Sequence, residues 1–151
     1  MAAVDVLRAS PLFRGFTDTG LQIIGSIAQE RLIPQGSPLF VENMVADALL
    51  IIGSGQVRLS ARSQAGEEVV LGEVGPGEAL GSLSLISQGQ RMCTATAASH
   101  VLAVEIRHSD FQRLLATKPQ ACAKLLMNVV GDFAARLQDN REGLRSLVGR
   151  K

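Results

Sequence analysis

Hydrophobic positions along this chain change their spacing twice, and each change marks a change of element. Between Val4 and Arg31 they recur at helical intervals. Ser10-Pro11 interrupts the pattern, and Thr17-Asp18 is placed to cap a second helix over Leu21, Ile24, Ile27 and Ala28. Leu12, Phe13 and Phe16 fall between the two pieces, where they pin the turn to a core. From Leu32 to about Arg107 the runs shorten to strand length. Gly36-Ser37-Pro38, Gly53-Ser54-Gly55, Ala65-Gly66-Glu67, Gly75-Pro76-Gly77 and Gly89 punctuate them. Ala48 to Ile52, the alternating Val57 to Arg62, Val69 to Leu71, Cys93 to Ala98 and His100 to Ile106 read as strands. Many short strands joined by Gly-rich turns predict a mainly β antiparallel sandwich, jelly roll or small barrel.

Helical spacing returns at Ser109. Ser109-Asp110 is placed to cap a short helix through Phe111, Leu114 and Leu115, and Pro119 fits the first turn of a last helix running to about Val148. In that helix Leu126, Val130, Phe133, Leu137, Asn140, Leu144 and Leu147 are spaced 4, 3, 4, 3, 4, 3. Such a seam packs either on its own barrel or on a second copy. The preferred expectation is a parallel homodimer in which Asn140 fixes register. Gly131 and Gly143 each weaken the helix by about 1 kcal/mol relative to Ala. The expectation is one domain over 1–151: N-terminal helices in 1–31, β jelly roll in 32–107, C-terminal helices in 108–151.

Composition narrows the function classes. Five Phe with no Trp or Tyr leave little to stack bases on. A balance of 15 basic against 14 acidic residues gives no global electrostatic case for nucleic acid or an anionic membrane. No stretch approaches the roughly 20 apolar residues of a membrane span, and the start is not a signal peptide. Cys93 and Cys122 lack metal-ligand spacing, so the expected setting is reducing and cytoplasmic. His100 and His108 do not form a metal cluster, and no nucleophile–base pair or Gly-Lys-Ser/Thr loop is present. The chain is not expected to be an enzyme or to need a cofactor. The basic residues near the end, from Arg136 to Lys151, are diluted by Asp139 and Glu142, and a DNA-binding module is not expected in this chain.

The chemistry concentrates between Gly75 and Ala97. Gly77-Glu78-Ala79-Leu80-Gly81 leads into Ser82-Leu83-Ser84-Leu85-Ile86, which reads as one helical turn after a Gly-rich bend. Free amides at its start, those of Leu83 and Ser84, are placed to face an anion. Arg91 follows alone between Gln90 and Met92 and supplies a guanidinium for the same anion.

This order of elements, with Pro-Gly-Glu-Ala-Leu-Gly-x-Leu-x-Leu and Arg-x-Cys-Thr-Ala-x-Ala, resembles the phosphate-binding cassette of cyclic nucleotide-binding domains. These occur in catabolite activator proteins, cyclic-nucleotide-dependent kinases and cyclic-nucleotide-gated channels. The resemblance runs from Pro11-Leu12-Phe13 to the last helix and includes Gly55-Gln56-Val57. It implies a jelly roll and a cyclic AMP or cyclic GMP ligand, or a similar phosphorylated molecule, on Gly81, Ser82, Leu83, Ser84, Arg91, Met92 and Cys93. It further implies a last helix that closes over the base, with Asn140 or Arg141 near the purine. Asn140 equally fits a polar seam position. Two positions depart from the pattern. Ser82 stands where the family has a glutamate for the ribose 2′-hydroxyl, and Met92 stands where it has Ser or Thr. Losing a charge-assisted hydrogen bond of roughly 1.5–3 kcal/mol lowers affinity on the order of ten- to a hundredfold. Glu78, four residues earlier, is read as structural. Two functions follow: a regulatory sensor signalling through the last helix to an effector, or a ligand-independent dimerisation or interaction module on the same scaffold.

Overall fold

The computed structural model describes residues 2–143. The N-terminal helices are short because their own caps stop and start them. Helix α1 (Ala3–Ala9) ends at Ser10, whose hydroxyl accepts from the Leu12 amide across the 3₁₀ turn Pro11–Phe13. Helix α2 (Asp18–Gly25) begins after Thr17, whose Oγ1 accepts from the Gly20 amide at 3.1 Å, as the sequence predicts. The expected helical character does not extend to Arg31. Strand β1 occupies Ala28–Ile33 and pairs antiparallel with Val101–Arg107. Its Ala-Gln-Glu-Arg-Leu run favours a helix in isolation, but the ladder and the burial of Ile33 override that preference.

The remaining strands are β2 (Pro38–Phe40), β3 (Val45–Ala46), β4 (Ala48–Ser54), β5 (Val57–Arg62), β6 (Glu68–Val74), β7 (Ala79–Leu80), β8 (Gly89–Gln90), β9 (Thr94–Ala97) and β10 (Val101–Arg107). Two four-stranded sheets, ordered β1-β10-β4-β7 and β2-β9-β5-β6, face each other, and β3 and β8 form a separate short pair. Every pairing is antiparallel, and each sheet draws strands from both halves of the chain, as in a jelly roll. Strand β4 is buried on both faces, which explains its unbroken apolar run. Leu49 and Ile51 join Val104, Ile106 and the helical residues Leu7, Ile24, Phe111 and Leu125. Leu50 and Ile52 turn the other way, into the space between the sheets, with Val57, Ala95, Val101 and Ala103.

Helix α3 (His108–Thr117) starts one residue before the expected Ser109-Asp110 cap and has no side-chain cap. The His108 amide instead donates to the Asp47 carbonyl at 2.8 Å, so strand β4's leading edge holds the helix start. Helix α4 (Pro119–Asp139) has Pro119 in its first turn as predicted. It does not run through Asn140. That residue leaves the helix at φ −108° and ψ 32°, and its side-chain amide donates to the Arg136 carbonyl at 2.8 Å. Asparagine suits a helix end because its side chain competes for backbone groups. The predicted seam positions Leu144 and Leu147, and the helix end near Val148, lie outside the described residues. Of the rest, Leu126 and Phe133 pack on the protein's own core. The exposed side of α4 carries Met127, Val130, Ala134 and Leu137, spaced 3, 4, 3.

Two glycines with similar backbone angles separate conformational from steric cost. Gly66 (φ +82°) has open space where a Cβ would stand. At Gly55 (φ +90°) a Cβ would lie 2.2 Å from the His100 carbonyl oxygen. Gly66→Ala is expected to cost about 1–2 kcal/mol, the left-handed penalty alone. Gly55→Ala is expected to cost clearly more, because backbone must also move. Urea denaturation of both variants checks this, and equal losses would contradict it.

Candidate functional site

Strand β7 pairs with Leu50 and Ile51 of β4 and delivers the chain to Gly81 at the barrel's end. Gly81 lies at φ +78°, and a Cβ there would stand 2.2 Å from Arg91 Nη1 and 3.0 Å from the Ala48 carbonyl oxygen. Both the backbone angle and the close approach therefore require glycine. The 3₁₀ turn Ser82–Leu85 follows at once, anchored by fully buried Leu85. The Ser84 amide donates to the Gly81 carbonyl at 2.9 Å. The expected donor pair Leu83 and Ser84 is corrected accordingly: the i→i+3 bond of the tight turn consumes the Ser84 amide. The amides of Ser82 and Leu83 have no acceptor among the described residues.

Two side chains of α3 hold this turn from behind. His108 Nδ1 lies 2.8 Å from the Ser84 carbonyl oxygen. A carbonyl only accepts, so Nδ1 carries the proton. Gln112 Nε2 donates to the Leu85 carbonyl at 3.0 Å.

Arg91 reaches the turn from the other side. Its amide donates to the Met44 carbonyl at 2.7 Å and its carbonyl accepts from the Asn43 amide at 2.8 Å. Asn43 has φ +72°, a conformation that asparagine tolerates better than most residues. With the backbone so held, the side chain turns inward and keeps only 6% of its surface exposed. Nη2 donates to the Ala48 carbonyl at 2.8 Å, and the guanidinium lies 4.2 Å from the ring centre of Phe40. Nε is buried with no hydrogen-bond partner. No carboxylate forms an ion pair with Arg91 among the described residues. Burial pulls its pKa below the usual arginine value, partly opposed by the fields of Asp47, Cys93 and Glu105. An arginine stays charged regardless, so a desolvated cation stands here without a full counter-charge. An anion is the group that would satisfy it.

The other predicted residues fall into three places. Ser82, Leu83 and Ser84 share the turn, and Gly81 lies close to both the Arg91 guanidinium and the Ser84 hydroxyl. Met92 is 90% exposed, and half-buried Cys93 has its thiol pKa pushed up by burial and by Glu42, against the pull of Arg91. Asn140 sits at the far end of α4 with its side-chain amide spent on Arg136. Glu78 accepts from the Gly75 amide at 3.4 Å, a turn-forming role. Sequence reasoning missed Phe40, the Ala48 carbonyl, His108 as a clamp, and Gln112. A ring in a three-residue strand and a backbone oxygen leave no periodic signal. Among the described residues no His, Cys, Asp or Glu cluster could hold a metal ion, and no helix is long and apolar enough to cross a membrane.

Comparison with known proteins shows the family and the fold. The cyclic nucleotide-binding domain model matches residues 30–118. The cyclic AMP receptor protein of Thermus thermophilus is 34% identical over 113 residues, covering 75% of this chain and 52% of that protein, so the chain spans about half the length of that relative. The N-terminal domain of a transcriptional regulator from Streptomyces coelicolor A3(2) superposes with a TM-score of 0.78 at 34% identity, over 93% of this chain and 95% of that one. The regulatory domain of Toxoplasma gondii PKA, solved with cAMP, superposes with a TM-score of 0.65 at 31% identity, over 74% of this chain and 42% of that one. With its barrel, its Gly-rich turn and its inward arginine, the chain belongs to the cyclic nucleotide-binding domain family.

Proposed function

We propose that this chain is a cytoplasmic regulatory sensor in which Arg91 and the Ser82 and Leu83 amides hold the phosphate of a cyclic nucleotide, cyclic AMP or cyclic GMP. The observation that carries the reading is the Arg91 guanidinium, buried and with Nε unpartnered. A phosphate offers a charged acceptor in place of the neutral Ala48 carbonyl, and charge-assisted hydrogen bonds are about twice as strong as neutral ones. To receive it, the arginine and the turn separate, because Nη1 now packs directly against Gly81.

The signal leaves through α3. The turn that must move is bonded to His108 and Gln112, and α3 leads through Lys118 into α4. A ligand that binds one turn position better than the other shifts the population of helix positions. Exposed Met127, Val130, Ala134 and Leu137 then form the homodimer seam, or the face that an effector protein reads. Val130 and Leu137 keep their expected seam positions, while Met127 and Ala134 replace Leu126 and Phe133, which are used internally.

A second reading has its own support. Neutral Ser82 and exposed Met92 weaken nucleotide recognition, and a domain without ligand would act as a dimerisation or docking module. Calorimetric titration with cyclic AMP and cyclic GMP separates the two. Wild type is expected to give heat and a thermal shift, and Arg91→Gln is expected to weaken binding by roughly a hundredfold, the loss of one or two charge-assisted bonds. Silence at millimolar nucleotide would exclude the sensor and leave the module.

Arg91→Met is expected to leave the melting temperature unchanged or raised, since it removes a desolvated charge with an unmet donor. A clear drop in melting temperature would mean that the arginine is a structural anchor. For the seam, Val130→Lys with Leu137→Lys is expected to convert a dimer to monomer in analytical ultracentrifugation. An unchanged sedimentation coefficient would place any dimer contact elsewhere.

A further inference from the structure

We propose that the cleft between α4 and the barrel binds small organic amines, one ammonium on a short hydrocarbon body. A cavity of about 260 Å³ opens between α4, the 3₁₀ turn at Pro11 and the Pro76-Gly77 bend that leads into β7. It falls below the roughly 300–1,000 Å³ of a drug-sized pocket, so its guest is small. None of the residues in contact with Arg91 lines it, and its chemistry does not depend on the nucleotide reading.

The lining is rich in acceptors. Helix α1 ends at Ala9, and the last carbonyls of a helix have no partner within it. Among the described residues no hydrogen bond reaches the Ala9 carbonyl. A Cβ at Gly77 would stand 3.5 Å from that oxygen, which therefore faces the bend. Arg8, the basic residue in the last turn of α1, does not cap it, because its guanidinium lies 3.5 Å from Asp5 and 3.2 Å from Asp18. Glu78 and Asp132 add carboxylates. Glu78 accepts only the long 3.4 Å bond from the Gly75 amide, and Asp132 lies 3.2 Å from the Arg136 guanidinium. Two carboxylates against one guanidinium leave one negative charge in excess, which a monocation balances and an anion does not. Pro11, Pro76 and Ala79 supply hydrocarbon walls, and the two prolines have no N–H to offer. An ammonium only donates, so it suits these oxygens, and a short alkyl chain suits the walls.

The test is amide proton–nitrogen correlation NMR of the full chain, titrated with butylammonium, butanol and butyrate. Butylammonium is expected to shift the amides of Leu12, Glu78, Asp132 and Arg136 and to saturate at millimolar concentration. Butanol and butyrate are expected to bind about tenfold more weakly or not at all. Glu78→Gln, which keeps an oxygen for the Gly75 amide, is expected to weaken butylammonium about tenfold, the loss of one charge-assisted bond. Arg136→Gln is expected to tighten it about threefold, because a competing cation is removed and Asp132 is freed. Thermal melting confirms that each variant is folded. Equal affinity for butylammonium and butanol overturns the inference, since the cleft is then merely apolar. Shifts of the same size at exposed Glu67, Glu68 and Glu73 overturn it as unspecific ion pairing. So does wild-type affinity in both variants, or the absence of any shift at tens of millimolar.

Discussion

A single arginine buried without a counter-anion sets the terms for the functional end of this barrel. The Arg91 guanidinium has one neutral acceptor, the Ala48 carbonyl, and one ring, Phe40, where a charge would ordinarily have water or a carboxylate. Gly81 is held to glycine by its φ of +78° and by the Ala48 carbonyl oxygen, and the Arg91 backbone is bonded to Asn43 and Met44 while its side chain lies inward. A flexible arginine could escape to solvent, and its burial shows that the surrounding backbone is stiff enough to hold it.

That stiffness extends to the helices through a small number of bonds. Two consecutive residues serve both sides, since the carbonyl of Ala48, the first residue of β4, accepts from Arg91 and that of Asp47, just before it, accepts from the His108 amide. His108 then bonds the turn through its ring. Turn, strand and helix therefore meet within one hydrogen-bonded cluster, and no element of it can move far alone. A second charged group braces the neighbouring strands, where Glu105 accepts from Arg31 Nη1 at 3.0 Å and Arg107 Nε at 2.9 Å across β1 and β10. It is half a solvent-facing network, so its contribution to stability is modest, but it fixes the edge from which α3 departs.

The sequence disclosed the parts of this arrangement that depend on local pattern. The alternation in Val57 to Arg62, the strand-length apolar run Ala48 to Ile52, the Thr17 cap and Pro119 all act within a few residues, and each is visible in the local sequence. A short helical turn and the inward arginine were also legible, because a Gly-rich bend before an isolated cation has few structural uses. What escaped notice depends on contacts distant in sequence. β1 looks helical until β10 is beside it. Two of the heptad positions on α4, Leu126 and Phe133, find the core, and that is decided by α2, α3 and the 3₁₀ turn at Pro11, not by the heptad. The Ser84 amide was misassigned for a subtler reason: an α-helical first turn leaves it free, and a 3₁₀ turn does not.

The departures at Ser82 and Met92 bear on how the two readings should be weighed. Both residues sit on the rim, where exchange is easy, whereas the demanding features lie deeper. Holding a cation out of water with Nε unmet is unfavourable, and an apolar residue at 91 would relieve it. A module used only for docking through α4 has no physical need for that cation, nor for a glycine at 81 to accommodate it. A sensor needs both, since the free energy withheld from the fold is what an arriving anion recovers as binding. On the proposed sensor reading, the departures at Ser82 and Met92 bear on which anion is preferred, while the buried cation that gives a reason to bind one stays in place.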